Sequence, residues 1–154
     1  MKKIVNLDKN LFDELVHVAK KSTCHRSKCG SIIVSDGTVI GVGYNSQPCN
    51  VNAECFKDSL DPNFKSDKTC CIHAEQRAIF DALKRNPSLI EGSRLYFIRL
   101  DENDNPKRSG EPYCTICSKS ALDVGISEFC LWHAEGWTAY ETNYYNQLSF
   151  KLTN

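Results

Sequence analysis

Two short motifs, each at the predicted start of a helix, constrain most strongly how this chain can fold. The first is the His-Ala-Glu triplet of "CIHAEQRAIFDAL", in which His73 and Glu75 stand two positions apart. The second is "PYCTIC", which carries Cys114 and Cys117 in Cys-x-x-Cys spacing. A predicted strand separates the two helices. If the motifs act together, the fold must bring both helix N-termini to one place.

These residue types are those of a metal site. His73, Cys114 and Cys117 supply one imidazole and two thiolates, the donor set of a catalytic zinc ion that keeps a fourth position open for water. At a helix N-terminus, the dipole and the unpaired N–H groups favour the thiolate form. Glu75 is placed to act as general acid/base rather than as a ligand, which matches the signature H-x-E…P-C-x-x-C of zinc deaminases. A structural Cys/His zinc site and a redox Cys-x-x-Cys are the alternatives.

The His-Ala-Glu triplet occurs a second time, at His133 in "LWHAEGWTAY". This copy follows a predicted strand and runs directly into Gly136, and no Cys pair downstream could complete a metal site. We therefore predict a strand-to-loop segment without a metal role.

The remaining sequence alternates between helical and extended patterns. Hydrophobic spacing predicts the helices, and β-branched runs bounded by turn residues predict the strands, in the order α-β-β-α-β-α-β-α. The segments are a helix over "NLFDELVHVAKKS", a hairpin with strands 31–34 and 38–42, the His73 helix, a strand over 93–100, a helix over "CTICSKSALDVG", a strand over "ISEFCLW" and a last helix over "TAYETNYYNQLSF". This order implies one α/β domain over residues 1–154, with helices on both faces of a sheet.

Composition limits which binding partners and which cellular compartment we expect for this protein. The chain has 154 residues, and 19 Lys+Arg balance 19 Asp+Glu, so the formal net charge is zero. A polynucleotide partner is possible but not favoured, because such binders usually carry an excess of basic side chains. The sequence shows no signal-peptide pattern and no apolar stretch of about 20 residues, so we expect a cytoplasmic protein that does not bind membranes. In a reducing compartment, nine cysteines favour metal or catalytic roles over disulfides.

With these motifs, the sequence resembles the zinc-dependent cytidine/deoxycytidylate deaminase superfamily, and most of all its dCMP deaminase branch. The resemblance runs from about Leu11 to Trp132, and "GVGYN" before the first His-Ala-Glu helix resembles the family's Gly-Tyr-Asn segment. It implies a three-layer αβα cytidine deaminase-like fold with a mixed central sheet, mostly of five strands. It also implies one catalytic Zn²⁺ on His73, Cys114 and Cys117.

The resemblance further implies hydrolytic deamination of a pyrimidine nucleotide or nucleoside, with dCMP to dUMP favoured. Hydroxide generated on zinc would add to C4, and Glu75 would shuttle protons to the ring nitrogen and to the departing amino group. Asn45 would contact the sugar, and the backbone N–H groups of Ala74 and Cys114 would face the base. Superfamily members often build sites across subunit interfaces, so a homo-oligomer is also implied.

Other functions stay open at this stage. The same motifs serve deaminases of another base such as guanine, of other nucleosides, and of RNA or DNA. A non-catalytic, zinc-stabilised nucleotide-binding module is the alternative from a different class, although such a module has no need of the Glu75 carboxylate.

The sequence departs from the dCMP branch in three places. Gln76 and Arg77 follow the His-Ala-Glu triplet where the family usually has an Asn at the second position. Arg77 is either a partner for a phosphate or carboxylate or an exposed helix residue, and we predict the second. An insert, "DENDNPKRSGE", separates the strand from Pro112, and Tyr113 separates Pro112 from Cys114.

Cysteines crowd the N-terminal half of the chain, where some dCMP deaminases carry a second, structural zinc ion. The candidate ligands for such an ion are Cys24, His25, Cys29, Cys49, Cys55, Cys70 and Cys71. The long segment 46–68 is of a kind that is usually functional or tied by metal. Spacing alone does not identify a tetrahedral set, and buried thiols with one or two exposed ones are the alternative.

Overall fold

One mixed sheet organises the chain. A computed structural model describes residues 1–24, 26–51 and 70–151, together with the single residues 55, 59, 61 and 63. The strands are β1 (Lys2–Val5), β2 (Cys29–Ser35), β3 (Thr38–Tyr44), β4 (Arg94–Leu100), β5 (Pro106–Lys107), β6 (Glu128–His133) and β7 (Gly136–Glu141). The helices are α1 (Lys9–Lys20), α2 (Ala74–Arg85), α3 (Thr115–Asp123) and α4 (Thr142–Ser149). The strand order is β1-β7-β6-β4-β2-β3, with β5 added to β4.

The sheet is mixed because β4 and β6 run parallel, joined by the α3 crossover, while the other pairs are antiparallel. On one face, α1 buries Leu15, Val18 and Ala19 in a cluster that includes Ile32 and Trp137. On the other face, α2, α3 and α4 enclose a second cluster, to which Phe129 and Tyr145 contribute stacked rings. The predicted three-layer αβα arrangement is confirmed.

The predicted β2–β3 hairpin is present, and the two residues of its turn have the backbone conformation that a tight hairpin requires. Asp36 and Gly37 form the two-residue connection, and both have positive φ, 48° and 77°. A tight hairpin favours such residues because their twist matches that of the two strands.

The prediction for the last segment was partly wrong. The "TAYE" portion belongs to the strand β7 (Gly136–Glu141), and the final helix begins only at Thr142. Trp137 and Ala139 join the α1 cluster while Tyr140 joins the opposite one, so β7 is apolar on both faces and its alternation is masked in the sequence. With β1 paired on β7 and the short β5 on β4, the described residues form a sheet of seven strands rather than five.

Only glycines of β3 and alanines of α2 meet where the strand and the helix approach most closely. A Cβ atom added at Gly43 would lie 2.3 Å from the Ala74 carbonyl oxygen and 2.3 Å from the Ala78 nitrogen, and one at Gly41 would lie 2.5 Å from the Ala78 oxygen. The strand backbone therefore lies directly on the alanine face of α2. This seam, made by Gly41, Gly43, Ala74, Ala78 and Ala82, fixes the position of the helix N-terminus.

None of the helices in the described ranges is long and apolar enough to cross a lipid bilayer.

Candidate active site and metal centre

The three predicted metal ligands converge at two helix N-termini. His73 is the N-cap of α2, Cys114 is the N-cap of α3, and Cys117 lies in the first turn of α3. The Nδ1 atom of His73 lies 3.3 Å from each of the two Sγ atoms, which are 3.2 Å apart. One zinc ion at 2.0–2.3 Å from each atom spans such separations. The donor set and its spacing fit a zinc ion with an open position.

Local hydrogen bonds hold these ligands in place. The Cys117 N–H donates to Cys114 Sγ at 3.4 Å, and the His73 N–H donates to the side-chain oxygen of Gln76 at 3.1 Å. Hydrogen bonding with Cys117, followed by the effect of His73, lowers the pKa of the Cys114 thiol to about 4 in spite of burial. Cys114 is therefore a thiolate, which is the form that binds a metal.

Glu75 lies in the first turn of α2 and is only 6% exposed. Burial, followed by the negative charge on Cys114, raises the pKa of its carboxyl to about 7. A carboxyl with a pKa near neutrality exchanges protons readily under physiological conditions, which is what a general acid/base requires.

A cavity of about 230 Å³ joins these groups to other predicted site residues. Its walls comprise Cys24, Arg26, Ser27, Cys29, Asn45, Cys55, Cys70, Cys71, His73, Glu75, Phe97, Arg99, Tyr113 and Cys114. Cys117 and Ala74 are buried behind this surface. Ala74 is the first residue of α2, so its N–H belongs to the set that a helix leaves without an intrahelical partner.

Asn45 follows β3, and its side-chain amide makes three hydrogen bonds to neighbouring residues. Its Oδ1 accepts from the Cys29 N–H at 2.8 Å and from the Ser22 hydroxyl at 2.6 Å. Its Nδ2 donates to the Ser27 carbonyl at 2.7 Å. The amide therefore has a fixed orientation on the cavity wall, and Asn45 also ties the entry of β2 to the exit of β3.

Sequence reasoning missed Arg26, Phe97 and Arg99 as wall residues. The signal for two of them was available, because Phe97 and Arg99 alternate along the predicted strand and therefore share a face. Nothing in the local pattern around Arg26 marked it, since its segment reads as a basic loop.

The prediction that Arg77 is an exposed helix residue was wrong. Its guanidinium is half-buried, donates to the carbonyl oxygens of Tyr44 at 3.1 Å and Gln47 at 3.4 Å, and also contacts the Ser46 hydroxyl. It also lies 5.4 Å from the centre of the Tyr44 ring. The reason is that the chain leaves the sheet after β3 with carbonyl groups that need donors, and Arg77 supplies them.

The second His-Ala-Glu copy lies where the sequence predicted, at the end of a strand. His133 closes β6 and pairs with Gly136 across a two-residue turn. Its Nε2 lies 2.7 Å from the Tyr140 hydroxyl, and its Nδ1 lies 3.3 Å from the Ser109 carbonyl oxygen. Its ring nitrogens are therefore engaged in structural hydrogen bonds.

The insert before Pro112 is ordered around a small hairpin. It contributes β5, and Arg108 lies over the Trp132 ring at 3.6 Å and donates to the His133 carbonyl at 2.7 Å. These contacts attach the insert to the end of β6.

The structure separates the other cysteines into groups. Cys24, Cys29, Cys55, Cys70 and Cys71 line the cavity, with Cys29 buried on β2, and Cys49 is exposed. His25 lies outside the described residues. Within the described part of the chain, His73, Cys114 and Cys117 are the one group of three or more His, Cys, Asp or Glu side chains whose ligand atoms converge. A second zinc ion therefore stays a prediction.

Known proteins share this sequence pattern and this fold. The chain is 29% identical over 115 residues to the deoxycytidylate deaminase of Saccharomyces cerevisiae, which covers 71% of the chain and 32% of the yeast protein. It is 29% identical over 117 residues to the deoxycytidylate deaminase of Mycobacterium phage D29, covering 70% of the chain and 80% of the phage protein. The chain thus spans about a third of the yeast relative.

A solved structure supports the fold. The dCMP deaminase of cyanophage S-TIM5 superimposes with a TM-score of 0.53 at 22% identity, over 80% of this chain and 82% of that one. A family model described as "Cytidine and deoxycytidylate deaminase zinc-binding region" matches residues 5–132 and includes His73, Glu75, Cys114 and Cys117. The chain belongs to the cytidine and deoxycytidylate deaminase family.

Proposed function

We propose that this chain is a zinc-dependent hydrolytic deaminase of a pyrimidine nucleotide or nucleoside, with conversion of dCMP to dUMP as the favoured reaction. The observation that carries the proposal is the buried Glu75 carboxyl beside the converging His73, Cys114 and Cys117, at the inner end of one cavity. Relatives named as deoxycytidylate deaminases support the choice of substrate.

In this proposal, His73, Cys114 and Cys117 hold the zinc ion, which when bound lowers the pKa of a coordinated water toward neutrality. Glu75 takes a proton from the water and donates one to the ring nitrogen next to C4. It then takes the second proton of that water, from the hydroxyl group now on C4, and delivers it to the amino group. The C–N bond breaks, ammonia leaves, and the C4 carbonyl of the product forms. Water supplies the oxygen, so the reaction needs no further reactant.

The remaining site residues position the substrate. The N–H groups of Ala74 and Cys114 face the base, and Asn45, whose amide is fixed by Cys29 and Ser27, contacts the sugar. A small substrate is supported by the volume of the cavity, about 230 Å³, and by the zero net charge, which does not favour a polynucleotide.

We also propose a homo-oligomer in the cytoplasm, built from a single domain over residues 1–154. The Cys114 and Cys117 side chains belong to a group that could hold a metal ion, and this use of cysteine supports a reducing compartment. Phe80 and Leu83 on α2 and Leu89 just after it are 45–47% exposed, and an apolar patch of this kind supports contact between subunits. Light scattering on the purified protein gives the mass, and a monomer at micromolar concentration would argue against the oligomer.

The test is a deamination panel on zinc-loaded protein. Ammonia release is followed with dCMP, CMP, deoxycytidine, cytidine, cytosine, guanine, adenosine and a short single-stranded oligonucleotide. Glu75→Gln is the matched control, because it keeps the side-chain shape and removes the acid/base. We expect turnover of a pyrimidine nucleotide or nucleoside, reduced by about 10²–10⁴-fold in the variant with its zinc content unchanged. Equal activity of the two proteins would refute the role of Glu75, and silence across the panel with stoichiometric zinc would refute the proposed activity.

A further inference from the structure

The last helix, α4, packs against α3, the helix that carries the two cysteine ligands. Asn146 Oδ1 on α4 accepts from the Ser118 hydroxyl on α3 at 2.7 Å. Ser118 is itself fixed to the start of its helix, because its N–H donates to the Cys114 carbonyl at 3.1 Å. The matched family model covers residues 5–132, so α4 lies beyond it. Part of the support for the metal centre therefore comes from outside the matched region.

Tyr145, the residue before Asn146, places a hydroxyl behind the metal centre. It is 3% exposed, and its ring stacks on that of Phe129, with 4.0 Å between the ring centres. Burial, followed by the neighbouring Glu75 carboxyl and Cys117 thiol, raises the pKa of Tyr145 well above its ordinary value of 10. The group is therefore a neutral hydroxyl in a fixed position.

This hydroxyl is bound to the main chain next to a metal ligand. It accepts a hydrogen bond from the N–H of Tyr113, which directly precedes Cys114. The contact lies in the interior, since Tyr145 belongs to the same buried cluster as Cys117. Together with the bond between Asn146 and α3, it gives α4 two attachments to the turn that presents the cysteines.

The hydrogen bond from Tyr113 is explained by a departure from the zinc deaminase motif. In the P-C-x-x-C signature, a proline directly precedes the first cysteine, and a proline has no N–H. Here Tyr113 takes that position and Pro112 stands one residue earlier, so the main chain has an additional N–H at the metal centre. A buried N–H without an acceptor costs about as much free energy as a lost hydrogen bond. Tyr145 supplies the acceptor that the departure makes necessary.

We propose that Tyr145 is a positioning residue for the metal centre, and that its hydroxyl, together with the Asn146 amide, holds the start of α3 so that Cys114 and Cys117 face His73. Side chains behind metal ligands fix the orientation of those ligands, and their loss weakens metal binding. The inference rests on the proposed function, because it names what holds two ligands of the zinc ion on which that function depends.

The first test removes the hydroxyl and keeps the ring. Tyr145→Phe should weaken zinc binding by about 10–100-fold, measured on metal-free protein by competition with a chromogenic chelator. It should also change the visible absorption of the Co²⁺-substituted protein, which reports the geometry of the thiolate ligands. Tyr144→Phe is the matched control, because it removes a hydroxyl from the neighbouring residue of the same helix. Parental zinc affinity and an unchanged cobalt spectrum in Tyr145→Phe would overturn the positioning role.

A double-mutant cycle tests whether the Tyr113 N–H is the cause. Tyr113→Pro removes the donor and restores the Pro-Cys order of the motif. In that background, adding Tyr145→Phe should change the zinc affinity by less than about two-fold, because the partner of the hydroxyl is gone. A loss as large as in the parent background would overturn the hydrogen bond as the cause.

A second cycle needs no proline and therefore covers the case in which Tyr113→Pro does not fold. Ser118→Ala and Asn146→Ala should each weaken zinc binding several-fold, and the double variant should be little weaker than either single variant, because both remove the same contact. Additive losses, or no loss in either single variant, would overturn the role of Asn146.

These measurements separate the inference from the proposed function, since zinc affinity and cobalt spectra need no substrate. Weak zinc binding by Tyr145→Phe would support the positioning role even if the deamination panel showed no activity. An active parent protein whose Tyr145→Phe variant kept parental zinc affinity would overturn the positioning role and leave the deaminase proposal standing.

Discussion

At the scale of single residues, two side chains near the metal centre stabilise the ends of strands by hydrogen bonds to main-chain groups. Asn45 joins the start of β2 to the end of β3, and Arg77 joins the end of β3 to α2. Asn45 lines the cavity, and Arg77 lies on α2 two residues after Glu75; both use much of their hydrogen-bonding capacity on carbonyl and N–H groups of the chain. A loss of function after changing either residue therefore has a structural component.

Asn45→Ala should lower the free energy of unfolding by about 2–3 kcal/mol, because it leaves the Cys29 N–H and the Ser27 carbonyl without their partners. Urea unfolding followed by fluorescence measures the change. Asn103→Ala, at an exposed position of the β4–β5 turn, is the control and should stay within about 0.5 kcal/mol of the parent. If Asn45→Ala were as stable as the control, Asn45 would have no structural role.

Single residues also show what the sequence could and could not predict. The site was predictable at the residues of the two motifs, because their residue types and spacing are those of a zinc site with an acid/base beside it. These residues are His73, Glu75, Cys114 and Cys117. Arg77 was not, because its partners are carbonyl groups at the end of a strand more than 25 residues away, and backbone groups leave no mark in the sequence.

At the scale of elements, the site depends on how closely α2 approaches β3. The seam leaves no room for a methyl group at Gly43, and the atoms it would meet are backbone atoms that cannot turn aside. Since His73 and Glu75 lie at the end of α2 next to this contact, any shift of the helix moves a metal ligand and the acid/base together.

Gly43→Ala should therefore lower the free energy of unfolding by about 3 kcal/mol or more and reduce the zinc content of the purified protein. Thermal unfolding and metal analysis give the two readings. Gly110→Ala is the matched control, because a Cβ atom there meets nothing within 4 Å. A Gly43→Ala protein with parental stability and zinc content would show that the seam can open without cost.

A partly buried network of charged side chains lies where β4 pairs with β6. Arg94 binds Glu128 Oε1 through Nε and Nη2, at 3.0 and 2.5 Å, and its Nη1 donates to the Tyr96 hydroxyl. Lys3 of β1 lies 3.4 Å from Glu128, while the cross-strand neighbour on β7 is Glu141. Burial opposes ionisation, but the Arg94 hydrogen bonds and the two cations outweigh it, so the pKa of Glu128 lies below its ordinary value of 4.5.

Because its pKa is lowered, ionised Glu128 stabilises the fold fully above about pH 4.5 and loses this effect as the pH falls through the folded-state value. Glu128→Gln should therefore cost about 1–2 kcal/mol at pH 7 and progressively less below pH 4.5. Urea unfolding of both proteins between pH 3 and pH 7 gives the comparison. A difference that does not depend on pH would rule out the ion pair as its cause.

Elements with a clear hydrophobic periodicity or turn signal in the sequence were predicted. Elements that lack such a pattern, because they are buried on both faces or are very short, were not. The helix α2 shows alanines at helical spacing, and the β2–β3 hairpin shows a turn signal, so both were found. The strand β7 was read as helix because it is buried on both faces, and β1 was missed because an edge strand of four residues carries little pattern.

At the scale of the whole molecule, the metal centre connects parts of the chain that are distant in sequence. His73 and Cys114 are 41 residues apart, on two helices that pack on the same face of the sheet. A ligand that binds only the folded arrangement stabilises it by an amount that grows with the logarithm of the ligand concentration relative to the dissociation constant. The zinc ion that these residues would hold therefore contributes to stability as well as to chemistry.

Removal of zinc with a strong chelator should lower the melting temperature by at least about 5 °C. Cys117→Ser should reduce the zinc content by one ion per chain and make the melting temperature less sensitive to the chelator. Asn103→Ala, at an exposed position of the β4–β5 turn and outside both candidate metal sites, is the control and should behave as the parent protein does. An unchanged melting curve in the chelated protein would show that the site forms fully without metal.

The cavity wall is rich in sulfur atoms, which are more polarisable than oxygen or nitrogen. Six of its residues, Cys24, Cys29, Cys55, Cys70, Cys71 and Cys114, present sulfur, so an incoming ion meets soft donors before and beside the reaction centre. Soft ligands select ions such as Cu(I) over hard ones such as Mg²⁺. We therefore expect micromolar Cu(I) to reduce ammonia release by the zinc-loaded protein far more strongly than millimolar Mg²⁺ does, and equal effects of the two ions would contradict this expectation.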